Sequence, residues 1–266
     1  MYDWRNMSLL DLNEYFADFG NKLRSGELNR TLGIEQRKYL IPLAYGVKEA
    51  IMCGYDRLAV AEFGVFYGAG LLDLCNAAKL FRDDFGLDIQ VYGFDRGTGG
   101  GLPGLVNDYR DHPELFQAGE FKMPDQEALR AKLPDFCELV IGDVGDTVRG
   151  FEPRLAGRVL AFAAYDLDLY SSTVAALPFL TFAPERYLPG MPMFFDDNAK
   201  TITQCQWVGE ELAIHEFNAA HAMRKIERKD SFHWGMKNLF VLQVLDHPMR
   251  QGIGVRPRFH LGIHPI

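Results

Sequence analysis

Six carboxylates recur at one kind of place in this chain. Glu62, Asp95, Asp143, Asp166 and the pair Asp196-Asp197 each stand at or just past the end of a short apolar run. In an open α/β sheet, ligands sit outside the carboxyl ends of the strands. Acids at those ends would converge on one rim. Each could cap the helix that follows. Each could instead accept charge-assisted hydrogen bonds from a ligand's hydroxyls. Two or three together could hold a hard divalent cation such as magnesium, which takes oxygen ligands and keeps several waters. For one acid alone, capping is as good a reading as a site. Six at successive strand ends favour a site.

The elements that must position them read as alternating strands and helices. Residues Leu58-Ala59-Val60-Ala61-Glu62-Phe63-Gly64-Val65-Phe66-Tyr67-Gly68-Ala69-Gly70 are an apolar strand, an acid, a glycine-rich turn and a helix start. A helix over Leu71–Phe81 and a strand over Ile89–Phe94 follow, then a loop over Gly97–Met123 and a helix over Pro124–Lys132. Strands are expected over Glu138–Ile141, Val159–Tyr165 and Met191–Phe195, with helices over Ser172–Phe182 and Thr203–His221. Continuously apolar strands alternating with helices indicate a parallel sheet buried on both faces. The pattern breaks at the end. Arg224–Lys229 and Asn238–Leu245 have no helix between them and read as an antiparallel hairpin.

Before the first strand, Leu9, Leu10, Leu12, Tyr15 and Phe16 recur near helical spacing, with Gly20 and Gly26 as breakers. A second helix is expected over Ile34–Met52, closed by Gly54. These helices would either cap the crevice mouth or cover a sheet face. The expected organisation is a helical cap over 1–57, a Rossmann-like domain over 58–246, and an extended arm over 247–266 containing Pro248, Pro257 and Pro265.

The totals exclude some classes. The chain has 266 residues, 48% of them hydrophobic, enough to fill a sizeable core. No run approaches the roughly 18 apolar residues of a membrane span. The start, Met1-Tyr2-Asp3-Trp4-Arg5, lacks a signal-peptide layout. A net charge of −8 argues against a nucleic-acid partner. Cys53, Cys75, Cys137 and Cys205 form no C-x-x-C pair, so zinc is not expected. They read as small buried residues in a reducing, cytoplasmic compartment.

The glycine spacing bears on the cofactor. A dinucleotide turn would be G-x-G-x-x-G. Here it is Glu62-x-Gly64-x-x-x-Gly68-x-Gly70. That spacing resembles the first motif of class I S-adenosylmethionine (SAM) methyltransferases, which would place Glu62, Gly64, Tyr67, Gly68 and Gly70 against the methionine half of the cofactor. Asp95, with Arg96 beside it, would accept from the ribose diol. Asp143 after Gly142 would accept from the adenine amino group, or simply cap the turn at Gly145.

Further motifs occur in order: Phe94-Asp95 followed by Gly101-Leu102-Pro103, Gly142-Asp143 with Asp146-Thr147, Asp166-Leu167-Asp168-Leu169-Tyr170-Ser171-Ser172-Thr173, and Phe195-Asp196-Asp197. Together they resemble the macrocin O-methyltransferase (TylF-type) family over about residues 58–245. The resemblance implies SAM, a divalent metal (usually magnesium), and methylation of sugar hydroxyls on natural products by a homodimer or higher oligomer. It implies that Asp166, Asp196 and Asp197 hold the metal, with Asp166 also at the cofactor and the reacting oxygen. Asn198 would complete an oxygen set, and Asp168 could instead fix the next helix with Thr173. The family's base, a histidine in the loop after the second strand, would be His112, although Asp111-His112-Pro113 equally suits a helix-start turn. His215 and His221 read as surface or packing residues, and His233 lies in the hairpin loop.

The chain departs from the family in places. The usual D-S-F-E-G-L-P is Asp95-Arg96-Gly97-Thr98-Gly99-Gly100-Gly101-Leu102-Pro103, D-G-D is Asp166-Leu167-Asp168, and D-D-Y is Asp196-Asp197-Asn198. The glycine-rich loop bears on the shape of the acceptor. The expectation is a SAM-dependent, Mg2+-dependent O-methyltransferase acting on a hydroxyl of a small metabolite or natural-product sugar. The competing readings are an NAD(P)-dependent oxidoreductase on a similar sheet and a non-catalytic SAM-binding protein.

Overall fold

Seven strands form a single sheet in the order β3-β2-β1-β4-β5-β7-β6 in the computed structural model, which describes residues 2–34, 37–104, 108–198, 201–229 and 238–252. The strands are β1 Arg57–Phe63, β2 Asp88–Asp95, β3 Cys137–Ile141, β4 Val159–Tyr165, β5 Gly190–Phe195, β6 Arg224–Arg228 and β7 Leu239–Val244. The helices are α1 Leu9–Arg24, α2 Glu27–Leu32, α3 Leu40–Cys53, α4 Ala69–Phe85, α5 Gln126–Arg130, α6 Val144–Thr147, α7 Tyr170–Ala176 and α8 Gly209–Ala220. The first five strands are parallel, and β7 runs antiparallel between β5 and β6. This mostly parallel sheet with an antiparallel end, and helices packed against it, is the expected α/β architecture.

Burial follows from the layers. Every residue of β4 is buried, and every residue of β1 except Arg57. Strands covered on both faces by helices can take apolar side chains in both directions. Helix α3 packs against β4 and β5, so part of the N-terminal segment covers the sheet itself. Because β1 has β2 on one side and β4 on the other, its two neighbouring crossovers leave in opposite directions. That switch point is where an open sheet forms its crevice.

An aromatic ladder lies directly beneath that point. Phe94, Phe63, Tyr165 and Phe195 come from the four adjacent strands β2, β1, β4 and β5, paired in register. Their rings stack at centroid separations of 4.6, 4.7 and 4.8 Å. Each such pair contributes about 0.5–1.5 kcal/mol beyond its burial. Asp95, Asp166 and Asp196 each follow a ladder residue, and Glu62 precedes one. Since successive residues on a strand face opposite sides, the ladder sets the level of the acids while burying its own rings on the other face.

Several elements differ from the sequence reading. Gly20 does not break α1; it is buried within it. Helix α7 stops at Ala176 and continues as a 3-10 turn over Leu177–Leu180. Pro178 accounts for this, because it has no N–H for an α-helical bond. Helix α8 begins at Gly209 rather than near Thr203. The Thr201 backbone N–H donates to Gln204 Oε1, and the Thr201 and Thr203 hydroxyls bond each other. Such local bonds compete with helix formation. The tail starts as a 3-10 turn over Pro248–Gln251, where Arg250 donates to the carbonyl of Pro189, rather than as an extended arm. The rest of the expected arm, and His233, lie outside the described residues. Cys53 and Cys75 are buried as expected, but Cys205 is exposed and Cys137 only half-buried; all four are free thiols. Among the described residues, no helix is long and apolar enough to cross a membrane.

Candidate active site

A crevice of about 590 Å³ opens over the carboxyl ends of β1, β2, β3, β4 and β5. That volume is within the usual range for a cofactor or small-ligand site. Of the residues expected to bind the cofactor, Glu62, Gly64, Tyr67, Gly70, Asp95, Arg96, Gly142, Asp143 and Asp166 line it, and Gly68 does not. Asp196 and Asp168 also line it.

Two glycines make the floor possible. Gly64 has φ +88°, and a Cβ there would lie 1.8 Å from the backbone oxygen of Asp166. The ends of β1 and β4 therefore approach too closely for any side chain, which brings Asp166 beside the glycine turn. A Cβ on Gly70 would lie 2.2 Å from Glu62 Oε1, so the first turn of α4 passes directly over the Glu62 carboxyl.

The β2 side holds its acids in place with backbone donors. Asp95 Oδ2 accepts from the N–H groups of Val65 and Phe66 at 3.0 and 2.9 Å, and Oδ1 accepts from Gly97 N–H at 2.7 Å. This carboxylate fixes both the glycine turn after β1 and the loop after β2. Arg96 is exposed and donates to the carbonyl of Gly101 at 3.1 Å, and Leu102 N–H donates to the carbonyl of Glu120, so the glycine-rich loop is braced at two points. Asp143 caps α6 by accepting from Gly145 N–H at 3.0 Å, the second of its two expected roles, while still facing the crevice.

The β4–β5 side is different. Asp166, Asp196 and Asp197 each offer a carboxylate oxygen, all within 4.8 Å of one another. Sequence reasoning missed the cation that sits on them. Lys38 Nζ lies 2.6 Å from Asp166 Oδ2 and 3.6 Å from Asp196 Oδ1, from a short 3-10 turn over Arg37–Tyr39 just before α3. The next residue, Tyr39, donates its hydroxyl to Glu62 Oε1 at 2.8 Å. The turn before α3 thus reaches two acidic strand ends with consecutive side chains.

Burial shapes the protonation of this group. Glu62, fully enclosed, is pushed up to about 8; Lys38 and the Tyr39 hydroxyl only partly offset the loss of solvent. Burial likewise raises Asp166 to about 6, with Lys38 pulling it down and Asp196 pushing it up. Burial works to lower Lys38, but Asp166 and Asp196 outweigh it and hold the ammonium above the ordinary lysine range. Lys38 therefore stays charged.

Glu210 is the second residue the sequence reading missed. It lies in the first turn of α8, is fully buried, and accepts at Oε2 from Asp197 N–H (2.9 Å) and from the Asn198 side-chain amide (3.1 Å). Burial, with Asp197 and Asp166 nearby, raises it well above the usual carboxylate range. It fixes the Asp197-Asn198 turn from behind. Asn198 donates this amide rather than standing open to the crevice, and its Oδ1 has no hydrogen-bond partner among the described residues.

His112 is not brought to the crevice. It is 2% exposed, in a left-handed conformation at the end of a 3-10 turn over Tyr109–Asp111, with Nδ1 2.9 Å from Glu114 Oε1 and its ring against Gly209 of α8. Its neighbour Asp111 explains the placement: it accepts from Ser171 N–H at 2.7 Å and Ser171 Oγ at 2.9 Å, tying this loop to α7. The expected assignment of His112 as base therefore loses its geometric support. Asp168 does not fix α7 with Thr173 either. Thr173 Oγ1 donates to the Leu169 carbonyl at 2.8 Å, and Asp168, at φ +61°, faces the crevice.

No family model and no curated protein matches the chain. Among solved structures it is similar to CalS11, a calicheamicin methyltransferase, at 22% identity over 91% of this chain and 97% of that one, with a TM-score of 0.56. It is also similar to the O-methyltransferase NovP, at 19% identity over 77% of this chain and 79% of that one, with a TM-score of 0.54. Similarity at this level establishes the fold, which is that of class I methyltransferases.

Proposed function

We propose that the chain is a SAM-dependent O-methyltransferase assisted by a divalent cation, acting on a hydroxyl of a small metabolite such as a natural-product sugar, in the manner of the TylF-type enzymes. The observation that carries this reading is the juxtaposition of three carboxylates within 4.8 Å of one another with a roughly 590 Å³ crevice on a class I methyltransferase sheet.

Asp95 and Arg96 would hold the ribose, Asp143 would border the adenine, and the backbone from Gly64 to Gly70 would pass the methionine end. SAM supplies an electrophilic methyl group. Asp166, Asp196 and Asp197 fit a magnesium-like ion: they are hard oxygen donors, each offering a carboxylate oxygen within 4.8 Å of the others. Such an ion lowers the pKa of a bound hydroxyl. The chain's own contribution is alignment, worth much of the barrier when reacting atoms are held about 3–3.5 Å apart. Asp166, which lines the crevice, is the acid we would assign to take the acceptor's proton.

The closing antiparallel pair β6–β7 weighs against a nicotinamide oxidoreductase, whose mostly parallel sheet ordinarily runs in the order 3-2-1-4-5-6. Calorimetric titration with SAM and with NAD separates the two readings: SAM should bind and NAD should not. Methyl transfer to hydroxylated acceptors, assayed with and without EDTA, then separates an enzyme from a SAM-binding scaffold. Binding of NAD but not SAM would end the proposal, and activity unchanged in excess chelator would remove the cation from it.

A further inference from the structure

Lys38 and a divalent cation would share carboxylates. Its ammonium is 2.6 Å from Asp166 Oδ2 and 3.6 Å from Asp196 Oδ1, two of the three carboxylates gathered within 4.8 Å. An ammonium group has three donors and no acceptor, so it can contribute nothing to a metal's ligand set. A divalent ion on those oxygens would also meet a fixed positive charge within a few ångströms, across a partly buried site where screening is weak.

We propose that Lys38 is a resident counter-ion that competes with the divalent cation, so that metal binding requires its ammonium to leave Asp166. The inference rests on the reading of Asp166, Asp196 and Asp197 as a cation site. The surroundings suit such an exchange. The backbone beside Lys38 is tethered independently, because Tyr39 is buried and bonded to Glu62. The Lys38 side chain is only partly covered, at 22% exposure, and lines the open crevice. A flexible four-carbon stem can therefore swing while its anchor stays. The ammonium already lies 5.0 Å from the centroid of the Tyr39 ring, a contact it can keep when the carboxylate contact is lost. The N-terminal segment would thus set the metal affinity of the free protein, keeping Asp166 and Asp196 paired until a cation displaces the lysine.

The test uses Mn2+ alone as probe, titrated into the full chain without SAM or acceptor and followed by electron paramagnetic resonance of the free ion. Wild type, Lys38→Met, Lys38→Arg and Asp197→Ala are compared, with thermal melts confirming that each is folded. Lys38→Met should bind Mn2+ about tenfold more tightly than wild type. Lys38→Arg, which keeps the charge, should stay near wild type. Should Lys38→Met fail to fold, Lys38→Gln gives the same reading. Equal or weaker Mn2+ binding by the uncharged variant, with Asp197→Ala abolishing binding, overturns the competition and leaves the cation site standing. Absence of Mn2+ binding in every protein, Lys38→Met included, overturns the cation site and the competition together.

Discussion

On the β2 side of the crevice, Asp95 accepts hydrogen bonds from three backbone N–H groups, and Asp143 from one. On the β4–β5 side, Asp166, Asp196 and Asp197 face one another within 4.8 Å, with the Lys38 ammonium on two of them. The same side chain at the same kind of strand end serves two ends. A carboxylate satisfied by backbone donors gives up reactivity and gains rigidity, because each charge-assisted bond fixes a loop. Carboxylates set against each other are met instead by a side-chain cation, Lys38. The first arrangement shapes a pocket; the second is the one proposed to take a cation. Substitutions on the two sides should therefore fail in different measurements.

The largest effect is expected on the cation side. Asp197→Ala should lower turnover by about 100-fold or more, the loss of roughly 3 kcal/mol of assistance to the acceptor oxygen. SAM affinity should stay close to wild type, since Asp197 does not line the crevice. Steady-state kinetics at saturating Mg2+, paired with SAM calorimetry, read the two quantities separately. Loss of SAM affinity in proportion to turnover would break the division between the two sides.

On the β2 side the order reverses. Asp95→Ala should weaken SAM binding by about 1.5–3 kcal/mol as the ribose loses a charged acceptor. It should also lower the melting temperature without SAM, because Val65, Phe66 and Gly97 lose the acceptor for their N–H groups. Asp95→Asn keeps one acceptor oxygen and should recover stability more than affinity. A stable Asp95→Ala protein with normal SAM binding would show that the carboxylate is dispensable to both pocket and loops.

This contrast also marks what the sequence could reveal. The strand ends were legible because continuous apolar runs are a local property, and Val159–Tyr165 has the observed bounds of β4. Glu62, Asp95, Asp166 and Asp196 were legible because each adjoins an aromatic at a strand end, and Asp143 because Gly142 follows an apolar run. Lys38 was not: beside Arg37 it reads as surface charge, and only the turn before α3 brings it across 128 positions to Asp166. Glu210 was hidden for a related reason. Glu210-Glu211 falls inside the helix expected over Thr203–His221, where paired acids ordinarily face solvent, yet Glu210 is fully buried behind Asp197. His112 differs in the opposite sense: the expected loop histidine does not line the crevice, and its neighbour Asp111 bonds α7. Side chains that depend on a distant segment's path leave no mark in spacing.

Glu62 lies between the two sides and supplies the finest test of the comparison. It belongs to β1, yet its charge responds to Lys38 and Asp166, and burial raises its pKa from 4.5 to about 8. Only Oε1 is bonded, to the Tyr39 hydroxyl; Oε2 has no partner among the described residues. At neutral pH the folded chain should keep this proton, while the unfolded chain has already lost it. Raising the pH from about 5 to about 8 should then reduce the stability of wild type relative to Glu62→Gln, by up to about 1.4 kcal/mol per pH unit. Above about pH 8 both states are ionised and the difference should level off. Denaturant unfolding of the two proteins across this range measures the slope, and subtracting one from the other removes titrations they share. A flat difference would mean that Glu62 is ionised in the folded chain, making it a third anion beside Asp166 rather than the neutral floor on which the glycine turn rests.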